Sequence, residues 1–240
     1  MLVIGHRGAP AYEPENTLRS FARALELGAD MLEFDVNVLP SGEAVIFHDR
    51  NVDRTTNGSG PLLHHSFRQL RRLDAGKGEQ IPTLQEVLDF IDHRVPVVVE
   101  LKTVGSAGPV AHIIEEYVQQ HGWRYDQFYV SCFHHPELHL FKTSHAPHIR
   151  VVAPLSTVPL RLAKFAEELD AVAITPNIEF ITQALVDDAH ARGMQVFAYT
   201  ASTFEDTQEQ MAFGVDAVFS NAPDQSHQAI EAGLKAGIRY

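Results

Sequence analysis

Nine short apolar runs separated by helix-patterned segments constrain this chain most: residues 2–4, 31–38, 44–47, 95–101, 128–133, 149–154, 171–174, 195–199 and 217–219. Several are nearly unbroken, such as "VPVVVEL" and "FYVSCF". A strand with one wet face alternates apolar and polar residues. An unbroken run suits a strand buried on both faces of a parallel sheet. The intervening text has helical periodicity, as in "TLRSFARALELG" and "TLQEVLDFIDH", the latter opened by Pro82 and Thr83. Strands and helices in alternation build an α/β fold around a parallel sheet.

Eight such units close a barrel, and nine runs are present. The link "PSGE" between the second and third runs is too short for a parallel crossover, which takes about a dozen residues. It makes a hairpin, so residues 44–47 extend the second strand in the antiparallel sense. The expected fold is therefore an α/β, (β/α)8 TIM barrel, with a doubly wound open sheet as the structural alternative. The 240 residues suit a single barrel domain spanning 1–240, since such barrels run to roughly 250 residues. The segment from about 50 to 81 is rich in Gly and Asn turn signals and breaks the repeat. It reads as a small insertion after the second-strand hairpin, with one short helix near 66–73.

Composition narrows the function classes. A hydrophobic content of 45% supplies a sizeable core. The formal net charge is −12 and the 19 basic residues are scattered, which disfavours nucleic acid as a partner and leaves room for a small anion in a local basic pocket. No apolar run approaches the roughly 18 residues that span a bilayer, so no integral membrane contact is expected. The first residues lack the pattern of a secretory leader, which makes the cytoplasm the expected location. Cys132, the single cysteine, forms no intramolecular disulfide and is expected to be a buried, inert thiol. Oligomeric state is not legible.

The chemistry gathers where apolar runs end. His6 and Arg7 close the first run. Glu33 and Asp35 stand two apart in "DMLEFDVNV", on one face of a strand. Two like charges there repel and lose solvation, and a hard divalent cation compensates both. Glu100 and Lys102 repeat the spacing in "VPVVVELKT", adding a third carboxylate and a cation. His48 and Asp49 end the hairpin strand. Singly, each of these has a plainer reading, such as an exposed edge strand, an internal Glu–Lys pair or a hydrogen-bonded loop. Together they fall on one rim of a βα barrel, where active sites lie. One metal, two imidazoles and two cations suit metal-assisted cleavage of a phosphate ester.

In their order along the chain, "HRG", "PENT", "EFDV", "FHD", "RTTNGSG", "LDAG", "IPTLQEVL" and "VELK" resemble the glycerophosphodiester phosphodiesterase family. The likeness is dense from Val3 to Lys102 and continues through "VSCF" and "GVDAVFSNAP". It implies a βα barrel that hydrolyses glycerophosphodiesters to glycerol 3-phosphate and an alcohol with one divalent metal ion, Mg2+ or Ca2+, with Mn2+ as a further candidate. It implies that Glu33, Asp35 and Glu100 bind the metal, that His6 and His48 are the general acid and base, and that Arg7 and Lys102 hold the phosphate. Glu15 and Asn16 of "PENT" would support the site, although Asn16 could equally be a helix cap. The family's usual Trp-Thr-Val-Asn is replaced by "YTAS", which puts Tyr199 at the aromatic position and Ser202 at the Asn position. "SNAP" stands where Thr-Asp often precedes Pro, and the insertion is trimmed between Gly76 and Ile81. These departures bear on substrate preference more than on chemistry.

Two other functions compete. A phosphodiesterase acting on lysophospholipids, of lysophospholipase D type, would carry an apolar segment at the rim, for which "PLLHHSF" in the insertion is a weak candidate. A barrel that binds a phosphometabolite without turnover would have lost a histidine or a ligand, and all are present. His64 and His65, also in the insertion, are either surface residues or part of the site mouth.

Overall fold

In a computed structural model, which describes residues 1–238, the strands form one sheet that closes on itself. The strands are β1 (Leu2–His6), β2 (Met31–Val38), β3 (Ala44–Ile46), β4 (Val97–Leu101), β5 (Phe128–Ser131), β6 (Arg150–Leu155), β7 (Ala173–Pro176), β8 (Gln195–Ala201) and β9 (Ala217–Ser220). The order is β1-β9-β8-β7-β6-β5-β4-β2-β3, and β1 also pairs with β2. All pairings are parallel except that of β2 with β3, so the eight-stranded barrel expected from the alternation is present, with β3 as its hairpin extension. The turn at "PSGE" is closed by Leu39 N–H donating to the Glu43 carbonyl (2.9 Å) and Gly42 N–H to the Leu39 carbonyl (2.8 Å).

The outer layer consists of α1 (Leu18–Glu26), α2 (Phe67–Leu70), α3 (Leu84–Ile91), α4 (Ala107–Gln120), α5 (His135–Leu140), α6 (Gln183–Ala191), α7 (Phe204–Phe213) and α8 (Pro223–Lys235), with a 3-10 segment, Leu162–Leu169, between β6 and β7. Local chemistry starts these helices. Thr17 caps α1 by accepting from Ser20 N–H (3.1 Å). Thr83 and Glu86 cap α3 reciprocally. Asn16 is thus not the cap of α1; its backbone is left-handed (φ 58°), which turns its side chain back toward β2.

Period-2 alternation sorts the strand residues. On β2, Leu32, Phe34 and Val36 join the large core between sheet and helices. Met31 instead joins a smaller interior cluster with Ile4, Val98, Val152, Phe197 and Phe219. Further along the inward faces, toward the C-terminal ends of the strands, apolar residues give way to His6, Glu33, Asp35 and Glu100. The barrel interior is therefore apolar below and polar at its upper rim.

Residues 50–81 pack over the hairpin. Val52, Leu62, Leu70, Ala75 and Ile81 make a satellite core with Leu39, Val45 and Phe47. The expected helix near 66–73 is a single turn, α2, introduced by Ser66. Lys77 ties the segment to the first βα loop through Glu13 (2.8 Å), and Arg71 ties it to α3 through Glu86 (2.8 Å). Among the described residues, no helix is long and apolar enough to cross a membrane.

Candidate active site

Strand register assembles the site. In the closed sheet His6 stands beside Glu33, and Asp35 beside Glu100. Oxygens of Glu33, Asp35 and Glu100 lie within 4.8 Å of one another. Glu33 and Asp35 are 2% and 1% exposed, so solvent does little to separate the charges. Burial, then the charges of Asp35 and Glu100, push the Glu33 carboxyl well above its ordinary range. Burial and Asp35 raise Glu100 likewise. Asp35 goes the other way: burial opposes its charge, but Arg7 and Lys102 hold its carboxyl below the usual value. Arg7 Nε is 3.2 Å from Asp35 Oδ2, and Lys102 Nζ is 2.6 Å from Glu100 and 3.5 Å from Asp35.

A left-handed turn directs these groups. Arg7 (φ 54°) and Gly8 (φ 91°) end β1 abruptly. The turn aims Arg7 N–H at Glu33 Oε2 (2.9 Å), and Asn16 N–H donates to the Arg7 carbonyl (3.0 Å). A side chain at Gly8 would place Cβ 2.3 Å from Ser20 Oγ and 2.6 Å from the Ser20 backbone. Ser20 Oγ donates to the Arg7 carbonyl (3.0 Å) and accepts from Ala9 N–H (2.9 Å), so it is not free to move aside. Gly8→Ala is expected to cost about 3 kcal/mol from overpacking and backbone strain together. Urea denaturation measures it, and a change under about 0.5 kcal/mol, typical of a neutral surface substitution, would contradict this account of the turn.

Hydrogen bonds from behind hold these groups in their orientations. Asn16 Nδ2 donates to Asp35 Oδ2 (2.8 Å). Glu15 accepts from Arg7 (2.9 Å) and from Arg54 (2.7 Å), and Arg54 also donates to Asp49 (2.6 Å). Asp49 lies 2.6 Å from His48 Nδ1 and is held strongly ionised, chiefly by Arg54. His6 Nδ1 is 2.9 Å from Asn221 Oδ1, whose amide nitrogen donates to Ser202 Oγ (2.9 Å). An amide oxygen accepts, so His6 carries its proton on Nδ1 and keeps a lone pair on Nε2. Burial, then the Arg7 charge, lower the His6 pKa to about 4.

All seven residues expected at the metal, proton-transfer and phosphate positions come together here. His6, Arg7, Glu33, His48, Glu100 and Lys102 line one cavity of about 380 Å³. Asp35 lies beneath it, and Glu15 and Asn16 sit behind Arg7 and Asp35. Tyr199 forms part of the opposite wall. His64 borders a separate depression beside the insertion, and His65 is bonded to the Pro61 carbonyl (2.9 Å). Cys132 is buried against the Leu101 carbonyl (3.1 Å), with its thiol pushed up to about 12 by burial. Sequence reading passed over Arg54 and the partnership of Asn221 with His6. Arg54 stands in turn-rich text that reads as surface, and Asn221 is 215 residues from its partner.

The donor set suits a hard divalent cation. Three carboxylates offer oxygen atoms that could act as ligands, and among the described residues the Glu33 side chain accepts only the hydrogen bond from Arg7 N–H. Arg7 makes a hydrogen bond to Glu15 through Nη1 while its Nε faces Asp35 without a well-directed bond, which leaves donors for an anion.

The chain matches the model of the Glycerophosphoryl diester phosphodiesterase family over residues 6–225. It is 32% identical to a glycerophosphodiester phosphodiesterase of Caldanaerobacter subterraneus subsp. tengcongensis, covering 97% of this chain and 98% of that one. It is 29% identical to a glycerophosphodiester phosphodiesterase of Bacillus altitudinis, covering 93% and 96%. Among solved structures, an Oleispira antarctica phosphodiesterase in complex with the product sn-glycerol-3-phosphate superposes with a TM-score of 0.88 at 31% identity, covering 96% of this chain and 97% of that one.

Proposed function

The chain belongs to the glycerophosphoryl diester phosphodiesterase family, and from that premise we propose that it hydrolyses glycerophosphodiesters to glycerol 3-phosphate and an alcohol at this rim. The observation that carries the reading is the carboxylate trio within 4.8 Å, Glu33 and Asp35 buried and Glu100 half-buried, flanked by two imidazoles and two cations around one cavity. Glu33, Asp35 and Glu100 would hold Mg2+ or Ca2+. When bound, such a cation stabilises negative charge developing on the phosphoryl oxygens.

The residues divide the remaining work. Arg7 and Lys102 hold non-bridging phosphate oxygens and orient the diester. His6, neutral with a free Nε2, takes the proton from the attacking hydroxyl. The bond from phosphorus to the alcohol oxygen breaks, and that oxygen takes a proton from Nε2 of His48. Asp49 anchors His48 through Nδ1 and offsets the charge that the ring carries when doubly protonated. Asn16 and Glu15 keep Asp35 and Arg7 in place. The attacker is water or the neighbouring glycerol hydroxyl, and cyclic phosphate in a short-time quench distinguishes the two.

The test is release of glycerol 3-phosphate from glycerophosphocholine, glycerophosphoethanolamine and glycerophosphoglycerol, followed by a coupled assay. Samples carry Mg2+, Ca2+, Mn2+ or EDTA. Metal-dependent release that EDTA removes is expected. No release from any of the three with any metal would overturn the reading and turn attention to lysophospholipids.

A further inference from the structure

One wall of the cavity takes no part in the chemistry above. Tyr199 enters it from β8, fixed by its hydroxyl donating to the Leu155 carbonyl (3.1 Å). Phe133, just beyond β5, meets that ring edge-on at 5.8 Å between centroids and stays 46% exposed. Asn177 follows β7 and forms a β-bridge with Tyr199. Its side-chain oxygen accepts from Glu179 N–H (2.9 Å) and starts the single 3-10 turn Ile178–Phe180. That turn brings Glu179 to the edge of the same cavity.

Glu179 is exposed. Among the described residues its carboxylate has no ion pair and no hydrogen bond, whereas Glu15, Asp35, Asp49 and Glu100 each have a cation beside them. An unpaired carboxylate lining the same cavity as two aromatic rings attracts an ammonium group through charge, and the rings add the attraction of their negative faces. A neutral polyol gains neither. Glu179 follows β7, three strands round the barrel from both β1 and β4, which lead to Arg7 and Lys102, so a diester whose phosphate is held by those two cations would turn a cationic alcohol toward Glu179. The cavity, about 380 Å³, is of a size that takes a small diester.

We propose that Glu179, with Phe133 and Tyr199, is the subsite for a cationic alcohol and sets a preference for diesters of choline or ethanolamine over diesters of glycerol. The inference rests on the hydrolase reading above and specifies its substrate.

The experiment measures kcat/KM of the full chain, with metal present, on glycerophosphocholine, glycerophosphoethanolamine and glycerophosphoglycerol. A preference of about five-fold or more for the cationic diesters is expected, from one screened ion pair and a cation–π contact. The preference is expected to sit in KM and to shrink at high ionic strength. Glu179→Gln should bring the cationic-to-neutral ratio close to one, and Glu179→Lys should invert it. Phe133→Leu, a second and independent variant, should lower the ratio for choline. Free choline should inhibit the wild type more strongly than Glu179→Lys. Turnover of all three diesters with a ratio that Glu179→Gln leaves unchanged overturns the subsite and spares the hydrolase reading. No turnover of any diester overturns both.

Discussion

Glu33→Gln is expected to lower turnover by at least about 10³-fold, the equivalent of several kcal/mol of lost transition-state stabilisation, while leaving the metal-free protein as stable as the wild type or more so. Glu33 sits buried between two other carboxylates, and this is why its carboxyl is pushed up. Glutamine keeps the shape and the oxygen that accepts from Arg7 N–H, and it removes the repulsion. Asp35→Asn should lose activity similarly but also cost about 3 kcal/mol of stability, because Arg7 and Lys102 lose a buried partner. The sign of the pH dependence separates the two. A carboxyl whose pKa is raised by folding contributes stability below its ordinary value of 4.5 that is lost as pH rises through the folded value. The metal-free wild type should therefore lose stability from mild acid toward neutrality, and Glu33→Gln should lose less. Asp35, with its pKa depressed by Arg7 and Lys102, contributes stability at neutral pH that is lost in acid. Urea denaturation in EDTA across this range, with calorimetric metal titration, reads both effects. Full activity in Glu33→Gln would remove the carboxylate trio from the proposed chemistry.

The same contrast shows what could be read from the chain. Spacing of two on a strand places Glu33 with Asp35 and Glu100 with Lys102 on shared faces, because strand periodicity is local. Apolar neighbours at Leu32, Phe34 and Val36 mark the opposite face as core. "PSGE" reveals the hairpin, since a parallel crossover cannot be that short. Contacts that depend on closure of the barrel are not local. Asn221 meets His6 because β9 pairs with β1, across 215 residues. Arg54 reaches Glu15 from the insertion, 39 residues away, and nothing in "RTTNGSG" marks one arginine as the link. Asn16 and Thr17 are adjacent polar residues, either able to cap α1. Only the left-handed backbone at Asn16 decides that Thr17 caps and that Asn16 turns to Asp35.

His48→Ala and His6→Gln should both be nearly inactive on glycerophosphocholine, with kcat lower by about 10² to 10⁴ and KM changed little. They should differ when the leaving group changes. On a p-nitrophenyl phosphodiester the departing phenolate is stable without a proton, so His48→Ala should recover to within about tenfold of the wild type, since only the proton-donation factor is bypassed. His6→Gln should stay poor on both substrates, because the attacking hydroxyl still lacks its base. This assignment follows from tautomers: Asn221 Oδ1 holds the proton on His6 Nδ1, and a pKa lowered to about 4 by burial and Arg7 keeps the ring neutral. With metal saturating, the fall of kcat/KM in acid due to His6 should therefore lie at or below about pH 4, since a bound cation further disfavours the charged ring, and not at the ordinary histidine value of 6.5. Recovery of His6→Gln, and not of His48→Ala, on the activated diester would reverse the two roles. It would also mean that the bond from Asn221 to His6 orients the acid, and that Asp49 holds the base.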